Sequence, residues 1–161
     1  MYLEEHEGAT TKAVLHKSPH SPLRLVAVNS NPEVIRSLAQ NLKAQELERT
    51  TLFTGKLNDV YSCLSGQPVA GAFLDFCGNL TVAKKGMRTP LEDLTQCLQT
   101  LQFTDGAALA ITVCQRSSKP LVSTDAAQTV IEQVVRGRYP SAANMHTLTY
   151  HPAMLFLLFR I

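Results

Sequence analysis

Four side chains combine a reactive type with a telling position. Asp75 closes the apolar run Ala70–Leu74 within V-A-G-A-F-L-D-F-C-G-N-L, Val69–Leu80. A continuous apolar run ended by turn residues predicts a strand buried on both faces, as in a parallel sheet. Ligands in open α/β sheets bind outside the carboxyl ends of the strands, and an acid there can orient or deprotonate a substrate. Capping a turn is the alternative role for Asp75, because Asp is a common turn residue. Cys77 follows two positions later. A thiol is a nucleophile only where its pKa is lowered, and a neighbouring carboxylate works against that, so Cys77 reads as structural. Asn29 ends L-R-L-V-A-V-N, Leu23–Asn29. That place suits a hydrogen-bonding partner for ribose hydroxyls, or simply a helix-entry turn. His6 is of a type that titrates near neutrality and can remove a proton, or it is a solvated loop residue.

These side chains need elements to hold them, and the chain supplies an alternating series. Tyr2–Leu3 is strand-like, His6-Glu7-Gly8 is a loop, and Thr10 is placed to cap a short helix over Lys12–Lys17. Leu23–Asn29 is a strand, and Asn31 with Pro32 starts a helix carrying Val34, Ile35, Leu38, Ala39 and Leu42 at helical spacing. Thr50–Thr54 is the next strand, with a short helix from Asn58 or Asp59 to Leu64. Thr89-Pro90-Leu91-Glu92 is a capping box opening a helix with the stripe Leu91, Leu94, Cys97, Leu98 and Leu101. Asp105-Gly106 turns into the strand Ala107–Cys114, and a helix follows from Asp125 to about Arg138. Asn144–Tyr150 and Ala153–Ile161 flank His151-Pro152, and a connection that short requires an antiparallel hairpin. The order predicts an α/β fold: a doubly wound, mostly parallel seven-stranded sheet with helices on both faces and a C-terminal antiparallel hairpin.

The totals narrow the function. At 161 residues with no repeat or linker, the chain fits a single domain over 1–161. A net charge of +2 does not by itself make a nucleic-acid surface. No apolar run approaches a membrane span, and Glu4, Glu5 and Glu7 make the start unlike a signal peptide, so an intracellular, cytoplasmic protein is expected. Cys63, Cys77, Cys97 and Cys114 form no C-x-x-C pair, which argues against a zinc site and for reduced thiols. There is no Walker A loop, G-x-S-x-G elbow or H-E-x-x-H helix.

The element order resembles the class I S-adenosylmethionine-dependent methyltransferases, whose seven-stranded sheet takes its last strand antiparallel. L-E-E-H-E-G-A-T-T-K-A-V-L is similar to a divergent first strand, glycine loop and helix of that family, V-A-V-N-S-N-P-E-V to its second strand and ribose-side turn, and F-L-D-F-C-G-N-L to its fourth strand. The resemblance implies S-adenosyl-L-methionine as cofactor. It places Glu4 or Glu5, with His6, near the cofactor's amino-acid portion and Gly8 at its close backbone approach. It puts Asn29 at the ribose, Ser30 beside the adenine, and Lys56, Leu57 and Asn58 flanking it. Asp75, Phe76, Cys77 and Gly78 then border the methyl group, with Asp75 as the catalytic residue. This chain departs from the family in having one Gly8 for a G-x-G-x-G loop, Asn29 for the usual acid, and no helix before the first strand. D-F-C-G also lacks the prolines of the N/D-P-P-Y/F motif of amino-methylating nucleic-acid enzymes.

The methyl acceptor is unassigned. Lys84, Lys85, Arg88, Arg116 and Lys119 can steer a phosphate-bearing RNA or DNA, or are ordinary loop charge. The competing expectation is a non-catalytic Rossmann-like binding or scaffold domain with lost or weakened cofactor binding, for which a homodimer is one arrangement.

Overall fold

The computed structural model describes residues 2–3, 9–17, 22, 24–76, 78–83, 88–114, 123–150 and 154–161. It contains seven strands and six helices among those residues. Backbone contacts divide the chain into two compact units, Met1–Val60 and Tyr61–Ile161.

In the first unit, β1 (Tyr2–Leu3), β2 (Leu25–Asn29) and β3 (Thr50–Thr54) run parallel in the order β3-β2-β1. Between them lie α1 (Ala9–Lys17), α2 (Pro32–Asn41) and α3 (Ala44–Glu48). Parallel strands need a crossover connection, and α1 and α2 supply it. Helix α2 begins where the sequence predicts: Asn31 is extended at the N-cap, its side chain accepts from the Glu33 N–H at 3.0 Å, and Pro32 opens the helix. Val34, Leu38 and Leu42 are buried on one face, and α2 packs on β2 and β3. Two expectations fail here. Thr10 lies inside α1, which starts at Ala9, rather than capping it. Helix α3 was not expected, because its A-Q-E-L-E has no apolar repeat and none of its residues is buried.

The second unit contains β4 (Pro68–Phe76), α5 (Pro90–Thr100), β5 (Gln102–Cys114), α6 (Thr124–Arg138), β6 (Ala143–Tyr150) and β7 (Met154–Arg160). Helix α4 (Leu57–Cys63) precedes β4. The order is β4-β5-β7-β6, with β4 parallel to β5 and both ladders of β7 antiparallel. The strands of the first unit are parallel as expected, and the expected antiparallel C-terminal hairpin is present in the second, where β7 inserts between β5 and β6. The hairpin link fixes one antiparallel ladder, and inserting its second strand beside β5 makes the other.

The core of this unit is mostly aliphatic. Leu74, Leu94, Leu98, Leu109, Ile111, Ile131, Leu155, Leu157 and Phe159 are each at most 1% exposed. Full burial of such a side chain contributes about 1.5–3 kcal/mol. Ala127, Ile131 and Val135 on α6 and Leu94, Cys97 and Leu98 on α5 supply the helical faces, and α5 packs on α6. Thr89 and Glu92 cap α5 reciprocally as the sequence predicts, with Thr89 N–H to Glu92 Oε2 at 2.7 Å and Glu92 N–H to Thr89 Oγ1 at 3.1 Å.

Two details of β4 and β5 differ from expectation. Strand β4 is buried fully on one face only, through Val69, Ala72, Leu74 and Phe76, while Gly71, Phe73 and Asp75 are half-buried. Asp105-Gly106 lies within β5 instead of before it. The turn signal still has an effect there. Gly106 takes φ +76°, and the β4–β5 register slips between Val69 and Gly71. The backbone of Ile161 closes the irregularity, accepting from Gly106 N–H at 2.8 Å and donating to Ala107 C=O at 2.9 Å.

Candidate functional site

The carboxyl ends of β2 and β3 lie side by side, with Asn29 in register with Thr54. Asn29 is half-buried, and its Oδ1 accepts from the Asn31 N–H at 2.8 Å. That bond folds the carboxamide over the entrance of α2, so the helix-entry role foreseen for Asn29 is realised. Beyond β3, the Gly55 N–H donates to the Asn29 carbonyl at 3.1 Å and links the two strand ends. A Cβ on Gly55 would sit 2.6 Å from the Phe53 ring, so the turn has no room for a side chain. The Lys56 N–H donates to Asp59 Oδ2 at 3.2 Å, which starts α4 at Leu57. Ser30 and Lys56 are exposed, and Leu57 and Asn58 are half-buried. The structure thus gathers Asn29, Ser30 and Lys56–Asn58 at neighbouring strand ends of the first unit.

In the second unit, Asp75 is the next-to-last residue of β4, on its half-buried face. It stands in register with Thr112 of β5, a buried polar residue at 3% exposure. Asp75 and Asn29 both take part in further polar contacts. Phe76 turns to the opposite face and is buried. Glu4, Glu5, His6, Gly8 and Cys77 lie outside the described residues.

Three residues here were not picked out from the sequence. Asn79 is 7% exposed, and neither of its side-chain polar atoms has a hydrogen-bond partner among the described residues. Thr112 interrupts the apolar run of β5 beside Asp75, and such a lone polar residue in a buried strand is a usable signal. Gly55 follows β3 and carries no side chain that marks it as part of a site. No sequence signal marks Asn79, whose burial depends on the path of the chain after Gly78.

Three titrating groups of the second unit are raised by burial. Tyr61 on α4 is fully buried, and its hydroxyl meets the Cys97 thiol without the alignment of a full hydrogen bond. Burial pushes the Tyr61 phenol far up and the Cys97 thiol up to about 12, so neither is a nucleophile at neutral pH. Burial also raises Asp93. Among the described residues, no group of three or more His, Cys, Asp or Glu could hold a metal ion. A surface groove of about 330 Å³ is lined by Gln128, Thr129, Glu132, Gln133 and Arg136 of α6, none of which is a predicted site residue. No helix among the described residues is long and apolar enough to cross a membrane.

No family model matches the sequence, and no curated protein matches it. Solved structures do. The Methanococcus jannaschii fibrillarin, a pre-rRNA processing protein, aligns with 99% of this chain at a TM-score of 0.71 and 12% identity. The chain spans 64% of that protein. A fibrillarin solved in complex with Nop5p aligns at 0.65 and 13% identity, over 99% of this chain and 71% of that one. An O-methyltransferase family protein from Burkholderia thailandensis aligns at 0.61 and 17% identity, over 99% of this chain and 49% of that one. The chain has the α/β fold of the class I S-adenosylmethionine-dependent methyltransferases.

Proposed function

We propose that this chain, as one domain over residues 1–161, is an S-adenosylmethionine-dependent methyltransferase. The observation that carries the reading is the methyltransferase fold along 99% of its length. In this reading the seven strands belong to a doubly wound sheet with helices on both faces, whose strand ends surround the ligand. Glu4, Glu5, His6 and Gly8 hold the cofactor's amino-acid end, Asn29 the ribose, and Ser30, Lys56, Leu57 and Asn58 the adenine. Asp75, Phe76 and Cys77 border the methyl group.

The described residues fit such a ligand. Gly55 keeps the turn beside Asn29 free of a side chain. When bound, the cofactor supplies a methyl group made electrophilic by a sulfonium centre. Asp75 orients the acceptor and takes its proton, and positioning in line supplies most of the rate. A nucleic-acid acceptor is supported by the pre-rRNA processing role of the M. jannaschii fibrillarin and by the loop cations Lys84, Lys85, Arg88, Arg116 and Lys119. The buried thiols Cys97 and Cys114 suit an intracellular, cytoplasmic setting.

Titration calorimetry with S-adenosylmethionine and S-adenosylhomocysteine tests the proposal. Saturable binding of either supports it, and no heat from either at millimolar concentration removes it. The second reading, a non-catalytic scaffold, is favoured by one contact: the Asn29 oxygen that would receive a ribose hydroxyl already accepts from the Asn31 N–H.

A further inference from the structure

We propose that Asn79 is a ligand-binding residue whose carboxamide receives the amino-acid head of the cofactor, an inference that rests on the methyltransferase reading above. Asn79 belongs to the second unit and follows Phe76, the last residue of β4, by three positions. It is more than nine-tenths buried, and among the described residues neither Oδ1 nor Nδ2 has a hydrogen-bond partner. Thr11 and Thr112 are the other buried polar residues described, and neither carries such an orphan atom. A buried polar group left unpaired in a native fold calls for a partner that the chain does not itself supply.

The backbone around Asn79 is tied down. Its carbonyl accepts from the Val82 N–H at 3.2 Å, and the carbonyl of the fully buried Leu80 accepts from the Leu91 N–H of α5 at 3.1 Å. The side chain is therefore orphaned by a held turn. On the other side stands Gly78, which is half-buried. A Cβ there meets no described atom within 4 Å, and Gly78 is not one of the glycines with positive φ. Neither packing nor backbone conformation demands a glycine at 78. Close approach of a ligand to the backbone is the remaining use of one, and it opens a way to the neighbouring carboxamide.

The carboxamide selects what it binds. Nδ2 donates and Oδ1 accepts, side by side. The amino-acid head of S-adenosylmethionine carries a carboxylate, which accepts, and an ammonium, which donates, on one carbon. An amide is also the form in which such a pair can wait: a buried charge without its partner costs far more than a buried amide. Three residues span at most about 10–11 Å, so Asn79 stays near the β4 end that borders the methyl group in that reading. The head hangs from the same sulfur as that methyl group, whereas the adenine lies beyond the ribose.

Calorimetry with S-adenosylhomocysteine and with methylthioadenosine, which keeps the adenosine and the thioether but lacks the amino-acid head, tests the assignment. The wild type is expected to bind S-adenosylhomocysteine more tightly. Asn79→Leu is expected to weaken that binding at least tenfold, to leave methylthioadenosine unchanged, and to raise the urea midpoint of unfolding. Asn79→Ser carries the same binding comparison should the leucine variant fail to fold. Gly78→Val fills the open space and is expected to weaken S-adenosylhomocysteine at least tenfold with the fold intact. A wild type that binds neither compound overturns the methyltransferase reading and this proposal with it. A wild type that binds the two equally, an Asn79 variant that binds S-adenosylhomocysteine unchanged or loses both compounds alike, or a folded Gly78→Val that binds as the wild type does overturns this proposal alone.

Discussion

The Gly55 N–H donates to the Asn29 carbonyl at 3.1 Å, while the Asn29 side chain accepts from the Asn31 N–H at 2.8 Å. One residue therefore ties together the end of β2, the turn after β3 and the start of α2. A ribose-binding role for Asn29 has to operate within that tie. Asp keeps the acceptor oxygen for Asn31 and adds a second charged acceptor for hydroxyls. Asn29→Asp is expected to leave the fold intact and to tighten S-adenosylhomocysteine binding about tenfold, near 1.4 kcal/mol, by calorimetry. Unchanged affinity would remove Asn29 from the ribose.

Asp75 lies on the half-buried face of β4 beside Thr112. Asp75→Asn preserves size and one acceptor oxygen but cannot take a proton. Once an acceptor is in hand, the variant should bind cofactor like the wild type and lose about 10²–10⁴-fold in turnover. Equal loss of binding and turnover would reassign Asp75 to cofactor contact.

The buried carboxamide of Asn79 has no hydrogen-bond partner among the described residues. An unsatisfied buried polar group costs about 1–3 kcal/mol. Asn79→Leu, near in size and apolar, is expected to raise stability by about 1 kcal/mol in urea unfolding. A loss of stability would mean that the amide is bonded in solution.

The capping box of α5 makes stability depend on pH. Hydrogen bonds from the Thr89 backbone and hydroxyl hold the Glu92 carboxylate below its usual range. A lowered folded-state pKa stabilises the fold above the ordinary Glu value of about 4.3, and that contribution fades as pH falls through the folded value. Comparing unfolding of wild type and Glu92→Gln across acid pH should show a gap at neutrality that closes below about pH 4. Thr89→Ala removes the cap itself and should cost about 1 kcal/mol at neutral pH.

Thiol reactivity should follow burial. Cys63 is exposed, while Cys97 and Cys114 are buried. Alkylation of the folded chain, mapped by peptide mass spectrometry, is expected to reach Cys63 first and to spare Cys97, whose thiol burial pushes up to about 12. Rapid labelling of Cys97 would show that the Tyr61–Cys97 contact opens readily.

The sequence by itself determined the elements. Thr50–Thr54 has the expected bounds, Asn31-Pro32 starts α2, and the Thr89–Glu92 box starts α5. Those signals are local: a cap, a fixed proline φ and an apolar repeat act within a few residues. Helix α3 escaped because it buries nothing, and β5 was begun too late because Gly106 with φ +76° reads as a turn even inside an irregular strand. The tertiary structure decided which strands pair and in what register, and so which residues meet. It set Asn29 beside Gly55, Asp75 beside Thr112, the insertion of β7 between β5 and β6, and the open edge at β6. Pairing joins residues far apart in the chain, and a strand's own sequence carries its faces but not its neighbours.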